Sequence, residues 1–290
     1  MLFLMAAGLT LVFGIMNLVN LAHGSLYMVG AYLATMFAGW TGSFLLGALL
    51  ALPATLLVGM VVEVVALRTL YERDHLDQVL ATFGLILFFN ELISIVWGRA
   101  AIYTSVPTVL AGHVQILPGI RYPTYRLMVI VIGLVVAGLL YVLVTHTRLG
   151  MLIRAGASNR TMVAALGVNI RLLYTLVFGL GAALAGLAGL MAGPLYAVQP
   201  GMGEQILIQV FVVIVIGGIG SIRGALVGAV VVGMVDTLGR AFLRPMLSTL
   251  VAPTAADKAG PALASMLIYL LMAAVLFFRP QGLFPSSGRT

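Results

Sequence analysis

Plotted as apolar and polar positions, the chain resolves into long hydrophobic runs joined by short polar stretches. Ile206–Ile216 (ILIQVFVVIVI) admits one polar residue, and Leu127–Val144 and Leu172–Leu195 are nearly as pure. A helix needs about 20 apolar residues to cross a bilayer, and as few as about 17 suffice. A membrane β-strand would alternate apolar and polar in blocks of about ten. That alternation is missing, and a backbone with no water to bond to must otherwise satisfy itself within a helix. The pattern predicts an all-α integral membrane protein of about eight transmembrane helices, forming a single permease domain over residues 1–290. The predicted helices are Met1–Met16 continuing into Leu26–Phe37, then Ser43–Leu67 with a kink at Pro53, Gln78–Trp97, Leu127–Val144, Leu172–Leu195, Ile206–Ile216, Gly224–Met234 and Ala262–Phe278. Met1–Met16 has no basic start or small-residue cleavage site and is read as a retained helix, not a signal peptide. Between the helices lie a charged loop, Arg68–Asp77, a proline-containing stretch, Arg99–Arg126, the loops Tyr196–Gln205 and Arg240–Pro261, and the tail Arg279–Thr290.

Two polar or glycine-rich interruptions break this pattern. Asn17, Asn20, His23, Gly24 and Ser25 fall inside one apolar run, where buried Asn and His need hydrogen-bond partners and Gly weakens a helix. Gly217, Gly218, Gly220 and Ser221 interrupt the second half of the chain. Matched interruptions in two halves point to a substrate path near the bilayer midplane, where free helix N-termini suit a carboxylate. The competing reading of Gly217–Ser221 is close helix packing. Small residues also recur every fourth position at Gly181, Ala185, Gly189 and Gly193 and at Gly220, Gly224 and Gly228, a pattern that lets helices approach closely.

Composition sharpens the class. The chain is 62% hydrophobic and 8% charged, against about 25% charged in a soluble domain. Its net charge of +7 reflects arginines gathered on the cytoplasmic side of a membrane, with no aromatic–basic interleaving of the kind that binds nucleic acid. The loops with Arg68 and Arg73, with Arg148 to Arg171, at Arg223 and at Arg279 share one side, which places the C-terminus in the cytoplasm. The sequence holds no cysteine, which excludes disulfides and thiolate chemistry.

The densest basic stretch is Thr147–Arg171, with Arg148, Arg154, Arg160 and Arg171 and no acid. Within it Thr161–Leu166 suits a short helix capped by Ser158 or Asn159 and ended by Gly167. Met162, Ala165 and Leu166 would share one face. A short helix with an apolar face beside arginines suits a cleft on another protein.

The chain carries no G-x-x-x-x-G-K-[ST], no H-E-x-x-H and no G-x-S-x-G. His23, His75, His113 and His146 show no metal-ligand spacing, so no metal site or bound cofactor is expected. Acids within the spans, the usual mark of ion coupling, reduce to Glu91, with Arg99 as a candidate partner, and to Glu63 and Asp236 nearer the ends. The pattern describes a transport path whose driving subunit lies elsewhere. An ion-coupled secondary transporter and a passive channel for a small solute such as urea are the alternatives.

The stretch RAGASNRTMVAALGVN resembles the coupling loop of bacterial ABC importer permeases, through Arg154, Ala155, Ala164, Ala165, Leu166, Gly167, Val168 and Asn169. GLTLVFGIMNLVNLAHGSLYMVGAY, VFVVIVIGGIGSIRGALVGAVVVG and FRPQGLF are similar to hallmarks of the LivH-type permeases of branched-chain amino acid importers. The resemblance implies a multi-pass subunit of the bacterial inner membrane, paired with a LivM-like permease. It implies two cytoplasmic ATPase subunits holding ATP and magnesium, and a periplasmic binding protein that delivers branched-chain or related amino acids. Docking would fall on Arg154, Ala155, Ser158, Asn159, Met162, Ala165, Leu166, Gly167 and Asn169. Family members carry further residues ahead of the position of Met1, which implies a short first helix or a start upstream.

Overall fold

A computed structural model describes residues 1–117, 119–249 and 253–284. The last part of the basic tail, 285–290 with Arg289, lies outside the described residues, as does Pro118. Among the described residues eleven α-helices run in order: α1 (Leu2–Met16), α2 (His23–Thr41), α3 (Phe44–Val65), α4 (His75–Trp97), α5 (Thr124–His146), α6 (Arg148–Ser158), α7 (Arg160–Ala165), α8 (Ile170–Ala192), α9 (Met202–Gly217), α10 (Ile222–Ser248) and α11 (Pro253–Phe278). Six stretches among the described residues (44–65, 75–97, 124–146, 170–192, 222–248 and 259–278) are long and apolar enough to cross a membrane, and α1 and α9 are shorter apolar helices. The chain is a multi-pass membrane protein.

Helix α8 is the axis of the fold. In its most apolar stretch 72% of residues are buried, against 6% in α5 and 11% in α11. Its small residues explain how it takes neighbours on several sides. A Cβ placed on Gly181 would lie 3.1 Å from the carbonyl oxygen of Gly8 on α1. One on Gly189 would strike the Tyr27 carbonyl of α2 at 1.9 Å. Gly186 meets Thr55 of α3 and Gly30 of α2. The fourth member of the sequence ridge, Gly193, lies just past the helix and sits near Val198 instead. Helix α3 runs antiparallel to α8, with Gly59 at Ala182, Gly179 at Met60 and Glu63 at Thr175.

The two ends of the bundle are separately tied. On one, an isolated β-bridge joins Ile102 to Val198 with hydrogen bonds of 2.8 and 2.9 Å. On the other, the Arg223 guanidinium lies 5.6 Å from the centre of the Tyr141 ring, and Arg68 reaches Thr175 on α8. The segments expected on one side of the membrane by arginine density therefore do sit together.

Several boundaries differ from the sequence pattern. Residues 147–169 are two helices rather than a loop, because the Thr147 hydroxyl caps α6 through Gly150 N at 3.1 Å. The stretch 240–261, read as a loop, is mostly helical: α10 runs to Ser248 and α11 begins at Pro253. The charges that seemed to end these helices are neutralised in place, Arg240 by Asp236 at 3.0 Å and Arg244 by Asp257 at 2.6 Å. The proline-containing stretch 99–126 holds a short antiparallel hairpin, His113–Leu117 with Ile120–Pro123. Glu91 pairs with Arg99 at 3.2 Å as expected, but both side chains are mostly exposed in the chain, 61% and 79%, so Glu91 is no deeply buried acid.

Candidate functional site

The basic segment forms a compact surface element held at the ends of α1, α5 and α8. A Cβ on Gly150 would overlap the Leu143 and Val144 carbonyls, so α6 folds back tightly over the last turn of α5. Gly156 faces Ile15 of α1 and Leu173 of α8. The Asn159 side chain accepts from Met162 N at 2.9 Å and starts α7. Ser158, the other candidate cap, is instead the last residue of α6 and is exposed. Val163 is buried and anchors α7. Met162 and Leu166 stand 60% and 77% exposed, with Ala165 beside them and Arg154 and Arg160 at the rim. Ala155 is half-buried. Gly167 ends the element at φ +85°, a conformation that favours glycine, and the Asn169 side chain caps α8 through Leu172 N at 3.0 Å. An apolar edge is thus presented on a helix that is capped, anchored and joined to α8 by four residues, 166–169.

The first interruption is a reversal rather than a kink. Helix α1 ends at Asn17, a non-glycine residue at φ +52°, and α2 begins at His23, earlier than the sequence pattern placed it. Gly24 and Ser25 therefore belong to the first turn of α2. The His23 ring comes back beside Gly8, which packs on Gly181 at the midpoint of α8. The start of α2 thus lies at mid-depth in the bundle. Asn20, His23 and Ser25 are buried and Asn17 is exposed. Asn20 Oδ1 accepts from Ala22 N at 3.0 Å and stabilises the reversal. Among the described residues Asn20 Nδ2 and both His23 ring nitrogens have no hydrogen-bond partner of normal geometry, although the Met5 backbone lies close to His23.

The second interruption is a hairpin turn. Gly218 and Gly220 take φ +107° and +85°, and Ser221 caps α10 through Gly224 N at 3.0 Å. Gly217 and Gly224 meet backbone to backbone, and Gly228 faces the Val213 carbonyl, so α9 and α10 pack without side chains between them. The two interruptions meet. Gly14 approaches Gly220, and a cavity of about 40 Å³ lies between Phe13, Asn20, Ile214 and Ile219. That volume accommodates about one water.

The chain matches the family described as "Branched-chain amino acid transport system / permease component" over residues 1–276. The chain belongs to this family. It is 30% identical, over 97% of its length and 90% of the relative's, to the high-affinity branched-chain amino acid transport system permease protein BraD of Pseudomonas aeruginosa. It is 28% identical to the corresponding LivH of Escherichia coli over 83% of its length and 82% of the relative's. It is 26% identical to the ribose import permease protein RbsC of Escherichia coli over 80% of its length and 72% of the relative's. No solved structure matches it.

Three features of the permease lie largely outside what the sequence pattern showed. The first is a cluster around Glu63, which accepts from Arg68 at 3.1 Å, from the Tyr71 hydroxyl at 2.7 Å and from the Thr175 hydroxyl at 2.6 Å. Burial, followed by the bond to Glu63, pushes the ionisation of the Tyr71 hydroxyl well above that of a free phenol. Only the Glu63–Arg68 spacing hinted at this cluster, since Thr175 comes from across the chain. The second links α4 to α9: the Asn90 side chain donates to Glu204 and accepts from Gly201 N at 3.2 Å. The third gives FRPQGLF a structural role. Leu283 N and Phe284 N donate to the Ile216 and Gly217 carbonyls, each at 2.9 Å. Those carbonyls belong to the last turn of α9 and have no partner within that helix. Gly282, at φ +78°, lets the tail lie against Gly218.

Proposed function

We propose that the permease is the membrane subunit of an ATP-driven importer and moves branched-chain or related hydrophobic amino acids across the inner membrane by alternating access. The observation that carries this reading is the exposed apolar edge of α7, Met162 with Leu166, on a helix fixed by the buried Val163 and by caps at Asn159 and Asn169. An edge exposed this far on an anchored helix has the shape of a docking element. On this reading the side bearing 147–169 and the tail is cytoplasmic, and two ATPase subunits seat there. A second, LivM-like permease covers part of the exposed apolar surface of the bundle, and membrane lipid covers the rest. A periplasmic binding protein delivers the substrate at the opposite end. ATP and magnesium bind the ATPases, and this chain holds neither. Family membership and the names of the BraD and LivH relatives support the substrate class.

In this mechanism ATP binding displaces α7, α8 transmits the shift, and the reversal at 17–22 and the hairpin at 217–221 rearrange around the cavity they share. The test is reconstitution with the partner subunits. Leu166→Arg places a charge on the docking edge, and Gly167→Pro is incompatible with φ +85°. Both should cut transport and the ATPase activity stimulated by the binding protein. Full coupling in both variants would refute the docking role. Calorimetry on the binding protein would identify the substrate.

A further inference from the structure

Glu63 lies in the last turns of α3 with its side chain 0% exposed. A buried acid at the end of an apolar span needs partners, and each oxygen has more than one. Oε1 accepts from Tyr71 and from Arg68 Nε, and Oε2 from Arg68 and Thr175. Arg68 also donates to Thr175 at 2.9 Å. Thr175 is the member from α8, in its second turn, close behind the Asn169 cap and the four residues that follow α7. Next to it, Tyr174 packs edge-on against Tyr71 with ring centres 5.1 Å apart. The turn that carries Arg68 and Tyr71 is held from α4 as well, where Gln78 donates to the Leu70 and Arg73 carbonyls at 3.1 Å each.

We propose that the Glu63 cluster is a tie that makes α3 and the 66–74 turn move with α8, so that displacement of α7 enters the membrane through α3 and α4 as well as through α8. This rests on the reading of α7 as the seat of the ATPase. The physical reason is the cost of separation. Sliding α8 away from α3 removes Thr175 from both Glu63 and Arg68 and leaves the fully buried Glu63 carboxylate one donor short. Moving the helices together keeps every bond. Glu63 and Thr175 are then positioning residues that touch neither substrate nor nucleotide.

The chain has no cysteine, so nitroxide labels can be placed singly or in pairs. In nanodiscs, labels at Arg73→Cys and Thr161→Cys report the distance between the turn and α7. A single narrow distance distribution is expected, broadened or lengthened by Thr175→Val and by Glu63→Gln, and retained in Thr175→Ser, which keeps the hydroxyl. Thr175→Val changes one group at near-constant shape, so the test stands if Glu63→Gln does not fold. Unchanged distributions in the folded variants would overturn the tie. In the assembled transporter, Thr175→Val should lower transport on the order of tenfold relative to ATP hydrolysed, with Thr175→Ser restoring the ratio. A proportional loss of both activities would mean a merely structural contact and would also overturn it. Failure of the unaltered chain to stimulate any ATPase would count against the proposed function, and the distance measurement would still decide the tie.

Discussion

The closest backbone approach at the first reversal gives a prediction with a magnitude. Gly24, in the first turn of α2, faces Gly203 in the first turn of α9, and a Cβ on Gly24 would lie 2.4 Å from the Gly203 carbonyl oxygen. Ordinary contact begins near 3.4 Å, so Gly24→Ala requires the helices to separate by about 1 Å. Neither obstructing atom belongs to a flexible side chain, so the strain falls on two backbones. Overpacking of this kind costs about 1–3 kcal/mol, or a fall of roughly 3–10 °C in melting temperature. Gly133→Ala and Gly138→Ala serve as controls, because nothing lies within 4 Å of their added Cβ. Those changes should be neutral or stabilise by up to about 1 kcal/mol through helix propensity. Melting of detergent-purified protein, followed by intrinsic fluorescence, separates the two classes. Gly203→Ala meets the same contact from the other side, at 2.1 Å from the Gly24 carbonyl oxygen. The double variant should therefore cost less than the sum of the singles. A Gly24→Ala protein that melts with the Gly133→Ala control would refute the close approach.

Further outcomes follow from the same geometry. Asn159→Ala removes the α7 cap and should cost that short helix about 0.5–2 kcal/mol, seen as faster amide exchange over 160–165 with little change in global melting. Gly282→Val cannot hold φ +78° beside Gly218, so the tail should detach and the Leu283 and Phe284 amides, which donate to Ile216 and Gly217, should exchange with solvent faster than in the unaltered chain. For Tyr71 the folded-state ionisation is raised, so its contribution to stability is complete below the free phenol value of about 10 and is lost as the pH rises beyond it. Absorbance titration at 295 nm should show the same amplitude near pH 10 in Tyr71→Phe as in the unaltered chain, because the buried hydroxyl does not ionise there.

Hydrophobic runs and glycine spacing were enough to read most of the bundle from the sequence, because both report on the lipid and on helix contact directly. Gly181 and Gly189 were visible as a ridge and do carry close approaches to α1 and α2. The helix Arg160–Ala165 and its Asn159 cap were also legible, since capping is local chemistry. What escaped is long-range. The Thr175 partner of Glu63 lies on another helix, and the two carbonyls capped by the tail belong to a helix formed much earlier in the chain. Charged residues misled in the opposite direction: Asp236 and Asp257 neutralise Arg240 and Arg244, and helix continues where the pattern suggested loop. The reversal at 17–22 was seen as a break, but its direction was hidden, because only tertiary contact brings His23 back beside Gly8.

The tail's hold on α9 also sets an order of events during synthesis. The Ile216 and Gly217 carbonyls can be made before their protein donors exist, since Leu283 and Phe284 are still to be translated. Chains emerge at roughly 5–20 residues per second, so for several seconds the α9–α10 hairpin sits in the membrane with the end of α9 unfinished. Closure waits until α11 has inserted and delivered residues 279–284 back to the same side. Any fusion partner or tag has to leave those residues free to reach Gly218, and an insertion quality-control factor would have this unfinished end available to it until they do.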